Sequence, residues 1–296
     1  MSYNTETINV QFLNQSFLDK LDSGMTKEAS VAASAFVRQK LREEGFTRQI
    51  LPPTMITAAE LDRQLTEEPT VIVEKEPDSI AANLPFLSRP EPRYFTGVRY
   101  PVTFQKIQSK EFIKSKFELA TYRTDIRTVL QENSVKDLQK QEDQNFYNNT
   151  MAVAQAAGNV YNIGGGFSIN NLMTAVKYLV QKQVPVGTIL MTQSMYADYL
   201  KQPATQMGSE LVSTLVAGEK SLDNFYGWKI LVTNKNDILP DNQVMIFTAQ
   251  QYLGQSYLLQ DATVLIESKA DMVSFTTYEA IGVGLGNING FVVANF

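Results

Sequence analysis

The 296-residue chain has no histidine, no cysteine and a single tryptophan. Without histidine there is no Ser-His-Asp or Cys-His catalysis, and no imidazole base titrating near neutral pH. Without cysteine there is no disulfide framework, zinc finger, thiol nucleophile or iron–sulfur cluster. Zero cysteine suits any redox compartment and so places the protein in none. An enzyme built on this chain is confined to carboxylate, Lys, Tyr and Ser/Thr chemistry. No run approaches the ~18 apolar residues of a spanning helix, and residues 1–30 carry no basic-then-apolar leader. The expectation is a soluble chain made in a cytoplasm. A net charge of −5 argues against a whole-surface nucleic-acid binder.

Glycine is scarce in one half and charge in the other. Residues 1–150 hold 19 Lys+Arg and 21 Asp+Glu but only Gly24, Gly45 and Gly97; residues 151–296 hold 7 and 10, with the other 13 glycines. Eight of the 11 prolines fall before residue 120. An extended, charged first half is therefore joined to a compact second half.

Residues 25–44 read as a docked amphipathic helix with a partial stripe of Val31, Ala35, Phe36 and Leu41, stopped at Gly45. In the Pro-rich stretch that follows, Val98, Tyr100, Val102 and Phe104 alternate with Arg99, Pro101, Thr103 and Gln105, a half-buried strand whose Pro101 asks for an edge. The segment from Val71 is its plausible partner, and Ile113, Phe117 and Leu119 suggest a third strand. Charge is polarised along this excursion: residues 60–78 carry seven acids against two bases, residues 89–116 seven bases against two acids. Either the arms neutralise each other within one chain, or their complementarity sets register on neighbouring copies.

Residues 123–157 lack Gly and Pro and predict a long helix. Ser134 with Asp137 resembles a capping box from which its main part starts. A helix–strand–helix unit over 168–201 follows, then a helix around 207–217 and strands at 229–233, 243–248, 256–267 and 273–285. With no regular βαβ repeat, the fold class is α+β.

No catalytic constellation survives inspection. Gly282-Val-Gly284-Leu-Gly286 has Asn289 where a dinucleotide fingerprint needs its third glycine, and reads as small residues on a packed final strand. Gly164-Gly165-Gly166 lacks the Lys-Ser/Thr of a phosphate loop and reads as a hinge between subdomains. The acid pairs Glu43-Glu44, Glu67-Glu68 and Glu142-Asp143 read as solvated faces. Catalytic, cofactor and metal residues are all expected to be absent.

The order of elements, however, resembles the HK97-fold major capsid protein of tailed bacteriophages. The likeness is carried by Ser168 to Val176, Val184-Pro-Val-Gly-Thr-Ile-Leu-Met-Thr, Tyr196-Ala-Asp-Tyr-Leu, Gly227-Trp-Lys-Ile-Leu-Val-Thr-Asn, Leu239-Pro-Asp-Asn-Gln-Val-Met-Ile-Phe and Tyr278-Glu-Ala-Ile-Gly-Val-Gly. It covers about residues 150–290 in text and the first half in architecture only. The resemblance implies an N-terminal arm over 1–50, an extended β-hairpin E-loop with flanking strands over 51–120, a P-domain spine helix over 121–167, an A-domain mainly over 168–250, and returning P/A-domain strands over 251–296. It implies a non-enzymatic shell protein, assembled in a host cytoplasm as hexamers and pentamers into an icosahedral virion head. Its partners would be its own copies, portal, scaffolding or decoration proteins and, non-specifically, packaged double-stranded DNA, with no membrane and no cofactor. The arm and loop would lie along neighbours, with Glu67, Glu68, Glu74, Glu76, Arg89, Arg93, Arg99 and Lys106 as the inter-subunit contacts. The alternatives are an encapsulin-type nanocompartment shell and, from a different class, a His/Cys-independent α+β enzyme or ligand-binding protein.

Overall fold

The computed structural model describes residues 10–62, 69–75, 83, 86, 89, 97–121, 125–201 and 224–296. Helices α1 (Val10–Asp22), α2 (Thr26–Glu44) and α3 (Phe46–Ile50) lead into the short strand β1 (Thr54–Met55). Strands β2 (Thr70–Lys75), β3 (Val98–Gln108) and β4 (Phe112–Ser115) follow, then α4 (Lys116–Thr121). The spine helix is continuous from α5 (Ile126–Leu130) through a π turn (Gln131–Val135) into α6 (Lys136–Ala157). Beyond it come β5 (Val160–Asn162), α7 (Ile169–Val180), β6 (Val186–Thr192) and α8 (Gln193–Leu200). The chain closes with β7 (Asn224–Phe225), β8 (Trp228–Thr233), β9 (Gln243–Thr248), α9 (Gln250–Leu253), β10 (Gln255–Lys269), β11 (Met272–Gly284) and β12 (Phe291–Asn295).

The strands form two mixed sheets. One runs β1-β10-β11-β3-β2, with β4 also on β11; the other runs β5-β12-β9-β6-β8-β7. The second sheet is covered on both faces, and its alternation shows how. Ile189, Met191, Val244, Ile246 and Val292 face Leu172, Val176 and Leu179 of α7. The intervening Leu190, Met245, Phe247, Phe291 and Val293 face Phe146 and Ala154 of the spine helix and Phe46 of α3. Both faces buried explains why these strands read as uninterrupted apolar runs. The first sheet packs one face on Leu18, Val37, Leu41, Val135 and Leu138 from α1, α2 and the spine helix.

Helix α2 docks along β10 through Ala29, Ala33, Val37 and Leu41, an i, i+4 stripe. That changes the expected stripe: Leu41 is shared and Phe36 packs half-buried against the same core, while Val31 and Ala35 point to solvent. Two α2 side chains close the open edge of β10: Arg38 Nε donates to the Ala262 carbonyl at 2.7 Å, and the Val264 N–H donates to Ser34 Oγ at 2.9 Å. Exposed strand edges otherwise recruit further strands.

Other expectations also change. The N-cap of the spine helix is Asp125, whose carboxylate accepts from the Arg127 N–H at 2.8 Å. Ser134 is no cap; it lies buried in the π turn and accepts from the Thr277 hydroxyl at 2.8 Å. Gly158 ends the helix in the left-handed region, φ 67°. Phe117 and Leu119 belong to α4, not to a strand, because the chain turns at Lys116, whose N–H bonds the Asp271 carbonyl. The Gly164–Gly166 run joins β5 to α7, both of which serve the second sheet, so it is not a hinge between the sheets. The helix expected around 207–217 lies outside the described residues.

The two-residue turn between β10 and β11 places Ala270 at φ 51°. A Cβ is strained there. Ala270→Gly is expected to raise unfolding stability by about 0.5–1 kcal/mol, the strain relief exceeding the added unfolded-state entropy; chemical denaturation measures it.

Candidate functional site

Strands β2 and β3 pair antiparallel from Thr70↔Thr103 to Lys75↔Val98, and β3 pairs with β11 only from Phe104↔Gly282 onward. The outer stretch of this hairpin is therefore two-stranded among the described residues. The Phe104 N–H donates to the Pro69 carbonyl at 3.0 Å. Even-numbered residues of β3 thus aim their N–H groups at β2, and Pro101, which has none, faces the free edge, as its sequence predicts.

The root of the hairpin explains the glycine series. A Cβ on Gly284 would stand 2.4 Å from Val102 Cγ2, and one on Gly286 2.4 Å from the Tyr100 hydroxyl. The glycines let β3 cross close over the end of β11 and the residues after it. They are not on the final strand, which is β12.

Of the eight charged residues expected in the loop, Glu74 and Arg99 face each other across the strands at 2.6 Å, 64% and 70% exposed. For this pair the two arms do meet within one chain, though so exposed a pair contributes at most ~1 kcal/mol. Lys106 is exposed and lies over the Tyr278 ring, 5.2 Å from its centroid. Arg89 is exposed. Glu67, Glu68, Glu76 and Arg93 lie outside the described residues. The hairpin also exposes Ile72 and Val98, and Ile113 and Phe117 are exposed on β4 and α4 beside it.

A second constellation lies beneath the hairpin root, where the sequence reading placed a solvated acid pair. Glu142 and Asp143 are both buried. They fall on the spine-helix face that carries Leu138, Phe146, Thr150 and Ala154, a four-residue recurrence that runs through Glu142 and could have revealed it. Arg48, brought in by α3, donates from Nε to Glu142 at 3.0 Å, from Nη2 to Glu142 as well, and from Nη2 to Glu279 Oε2 of β11 at 2.7 Å. Asp261 of β10 lies 3.9 Å from Arg48 Nη1, with Arg38 of α2 3.5 Å from its other oxygen. A register shift in β10 between Gln260 and Thr263 accompanies the consecutive burial of Asp261 and Ala262. Asp143 accepts from Thr47 Oγ1 at 2.6 Å and from Lys235 Nζ at 2.6 Å.

Burial opposes the Arg48 charge, but the pull of Glu142 and its hydrogen bonds, then Glu279 and Asp261, raise its pKa. Burial first, then the neighbouring Glu142, raise Glu279 well above the ordinary carboxylate range against the pull of Arg48. Burial likewise raises Asp143, against Lys235 and Thr47. Among the described residues no group of acidic side chains is arranged to hold a metal ion, and no helix is long and apolar enough to cross a membrane.

The fold as a whole is similar to that of solved shell structures. The capsid structure of the cyanophage P-SCSP1u matches at TM-score 0.53 and 11% identity, over 82% of this chain and 86% of that one. This protein has the HK97-like capsid fold. A chain of Mycobacterium phage Adephagia matches this one at TM-score 0.59 and 11% identity, over 85% and 90%. The virus-like particle from Pyrococcus furiosus does so at 0.55 and 17%, over 89% and 98%. No protein-family model matches the sequence, and no curated protein does.

Proposed function

We propose that this chain is the major capsid protein of a tailed bacteriophage: a structural, non-enzymatic subunit that self-assembles into hexamers and pentamers of an icosahedral head around double-stranded DNA. The observation that carries the reading is the β2–β3 hairpin, two-stranded and exposing Ile72, Val98, Glu74 and Arg99, on a body that shares its fold with a cyanophage capsid over 82% of its length. Many weak hairpin contacts repeated over a closed lattice give a strong shell. A net charge of −5 suits a wall that tolerates packed DNA without gripping it.

The proposed organisation keeps residues 51–120 as the loop, 121–167 as the spine, 168–250 as the main A-domain and 251–296 as returning strands. The first 50 residues are kept as the N-terminal arm. From Asn14 onward they pack on their own sheet, so the hairpin supplies the reach toward neighbours. Portal, scaffolding or decoration proteins would be further partners, with assembly in the host cytoplasm and residence in the virion. A second reading, an encapsulin-type shell, draws support from the Pyrococcus particle, whose chain is covered over 98% of its length.

Electron microscopy of the purified protein is expected to show polyhedral shells, hexamers or pentamers; a stable monomer overturns the proposal, and protein rather than DNA inside the shells selects the second reading. Reversing Arg93, Arg99 and Lys106 to Glu together is expected to cut particle yield at least severalfold, with unfolding stability changed by no more than about 0.5 kcal/mol. Normal particles from that variant would count against docking of the basic arm.

A further inference from the structure

The Arg48 cluster has more buried acid than a single guanidinium can balance. The side chains of Glu142 and Glu279 are both 0% exposed, and both take hydrogen bonds from the same nitrogen, Arg48 Nη2. Both carboxyl groups converge on that one nitrogen, and two carboxylates held at one site repel unless one of them carries a proton. Two atoms there find no partner: Arg48 Nη1 and Glu279 Oε1. An unpaired anionic oxygen in such a place is costly, and a neutral carboxylic acid removes most of the penalty.

The other charges facing the pair are already engaged. Asp261, from β10, has Arg38 of α2 beside it as well as Arg48. Asp143, the next residue on the spine helix, is held by Lys235 and Thr47. From β3, the residue opposite Glu279 is the uncharged Ile107, while Lys106 pairs with Ala280 and lies exposed. No cation besides Arg48 makes an ion pair with Glu142 or Glu279 among the described residues.

A cleft of about 380 Å³ lies beside the cluster, between β3 and the spine helix. It is lined by Tyr100, Thr103, Gln105 and Asn145 and reaches Thr47 and Glu142. Across it Asn145 Nδ2 donates to Gln105 Oε1 at 2.9 Å, tying the hairpin root to the spine helix.

We propose that Glu279 is held as a neutral carboxylic acid that donates its proton to Glu142 on Arg48, making the cluster a proton-operated joint between α3, the spine helix and β11. With the proton in place, the pair carries one negative charge against one guanidinium and the three elements are locked together. When the proton leaves, two carboxylates face one Arg48, and the repulsion loosens α3 and the hairpin root from the spine helix. Because the folded state holds the proton more tightly than the unfolded chain, this contribution is complete below the ordinary Glu value of 4.5. It is lost as pH rises toward the folded-state value. The acid-sensitive partners of Asp125 and Asp237 act in the opposite sense, since their values are lowered.

The test is Glu279→Gln in the full-length, unassembled protein, since Gln keeps the neutral shape and the donor to Glu142. The folding equilibrium constant of the parent is expected to fall, relative to the variant, by about tenfold per pH unit above 4.5 until the folded-state value is passed. The parent should show the infrared carbonyl band of a protonated carboxylic acid at neutral pH, and the variant should lose it. Hydrogen exchange at residues 46–50 and 278–282 should accelerate with pH in the parent alone. Parallel pH profiles, or no difference in the infrared band, overturn the proposal. So does a variant that fails to fold, because Gln reproduces every contact the neutral acid makes.

Discussion

Replacing Arg48 with methionine is expected to lower the unfolding free energy by about 3–5 kcal/mol, the usual cost of breaking a buried ion pair from one side. The change leaves Glu142 and Glu279 buried and facing each other with no cation of their own, while Asp261 keeps Arg38. The loss should be smaller at low pH, where protonation relieves the stranded acids, so denaturation midpoints measured at two pH values separate this electrostatic cost from lost packing. A variant that loses less than about 1 kcal/mol at neutral pH would mean that water enters the cluster and screens it. Arg48→Lys is no rescue, because one ammonium cannot present the planar fork that serves both glutamates.

Phe146→Ala is expected to cost a similar ~3–5 kcal/mol, the range for removing a fully buried aromatic ring. Phe146 is 0% exposed, and its ring lies 6.3 Å from that of Phe46 and 5.6 Å from that of Phe247. It therefore joins three elements: α3, the spine helix and the second sheet. Truncation opens a cavity between the sheet and the spine, where the backbone is too firmly held to collapse. Thermal unfolding of the unassembled chain measures the loss. A drop of less than about 1.5 kcal/mol would show that the sheet slides into the gap and that the spine is less fixed than its packing implies.

The compact second half was legible because its signals are local. Alternating or continuous apolar runs mark β6, β8, β9, β10 and β11 within a few residues, and Gly45 and Gly158 end the helices where the chain says they should. Pro101 announced a free edge and has one. The first half was harder for a reason its own residues show. Alanines at 29 and 33 share the docking of α2 with Val37 and Leu41, while the larger Val31 is left outside, so hydrophobicity alone placed only part of the docked face. The ionic cluster was invisible because it depends on partners 94 and 231 residues apart, and polar text around Glu142 looks like a solvated helix. Periodicity held the missing clue: Glu142 lies four residues from Leu138 and four from Phe146. The capsid resemblance came from the order of elements, and the two sheets bear out the α+β class, while the inter-subunit residues remain a proposal on which the hairpin geometry bears only through Glu74, Arg99 and Lys106.

The small closure of β10 by Arg38 and Ser34 has a consequence for how copies of this chain can meet. A strand edge is indiscriminate: any extended backbone satisfies it, and one addition exposes the next, so growth through edges is linear and has no natural end. By spending two α2 side chains on the Ala262 carbonyl and the Val264 N–H, the chain removes that option at its longest strand. The free edge of β3 is guarded differently, by Pro101, which offers no N–H to an incoming strand. What looks like a detail of helix docking thus guards that stretch of β10 against open-ended strand addition.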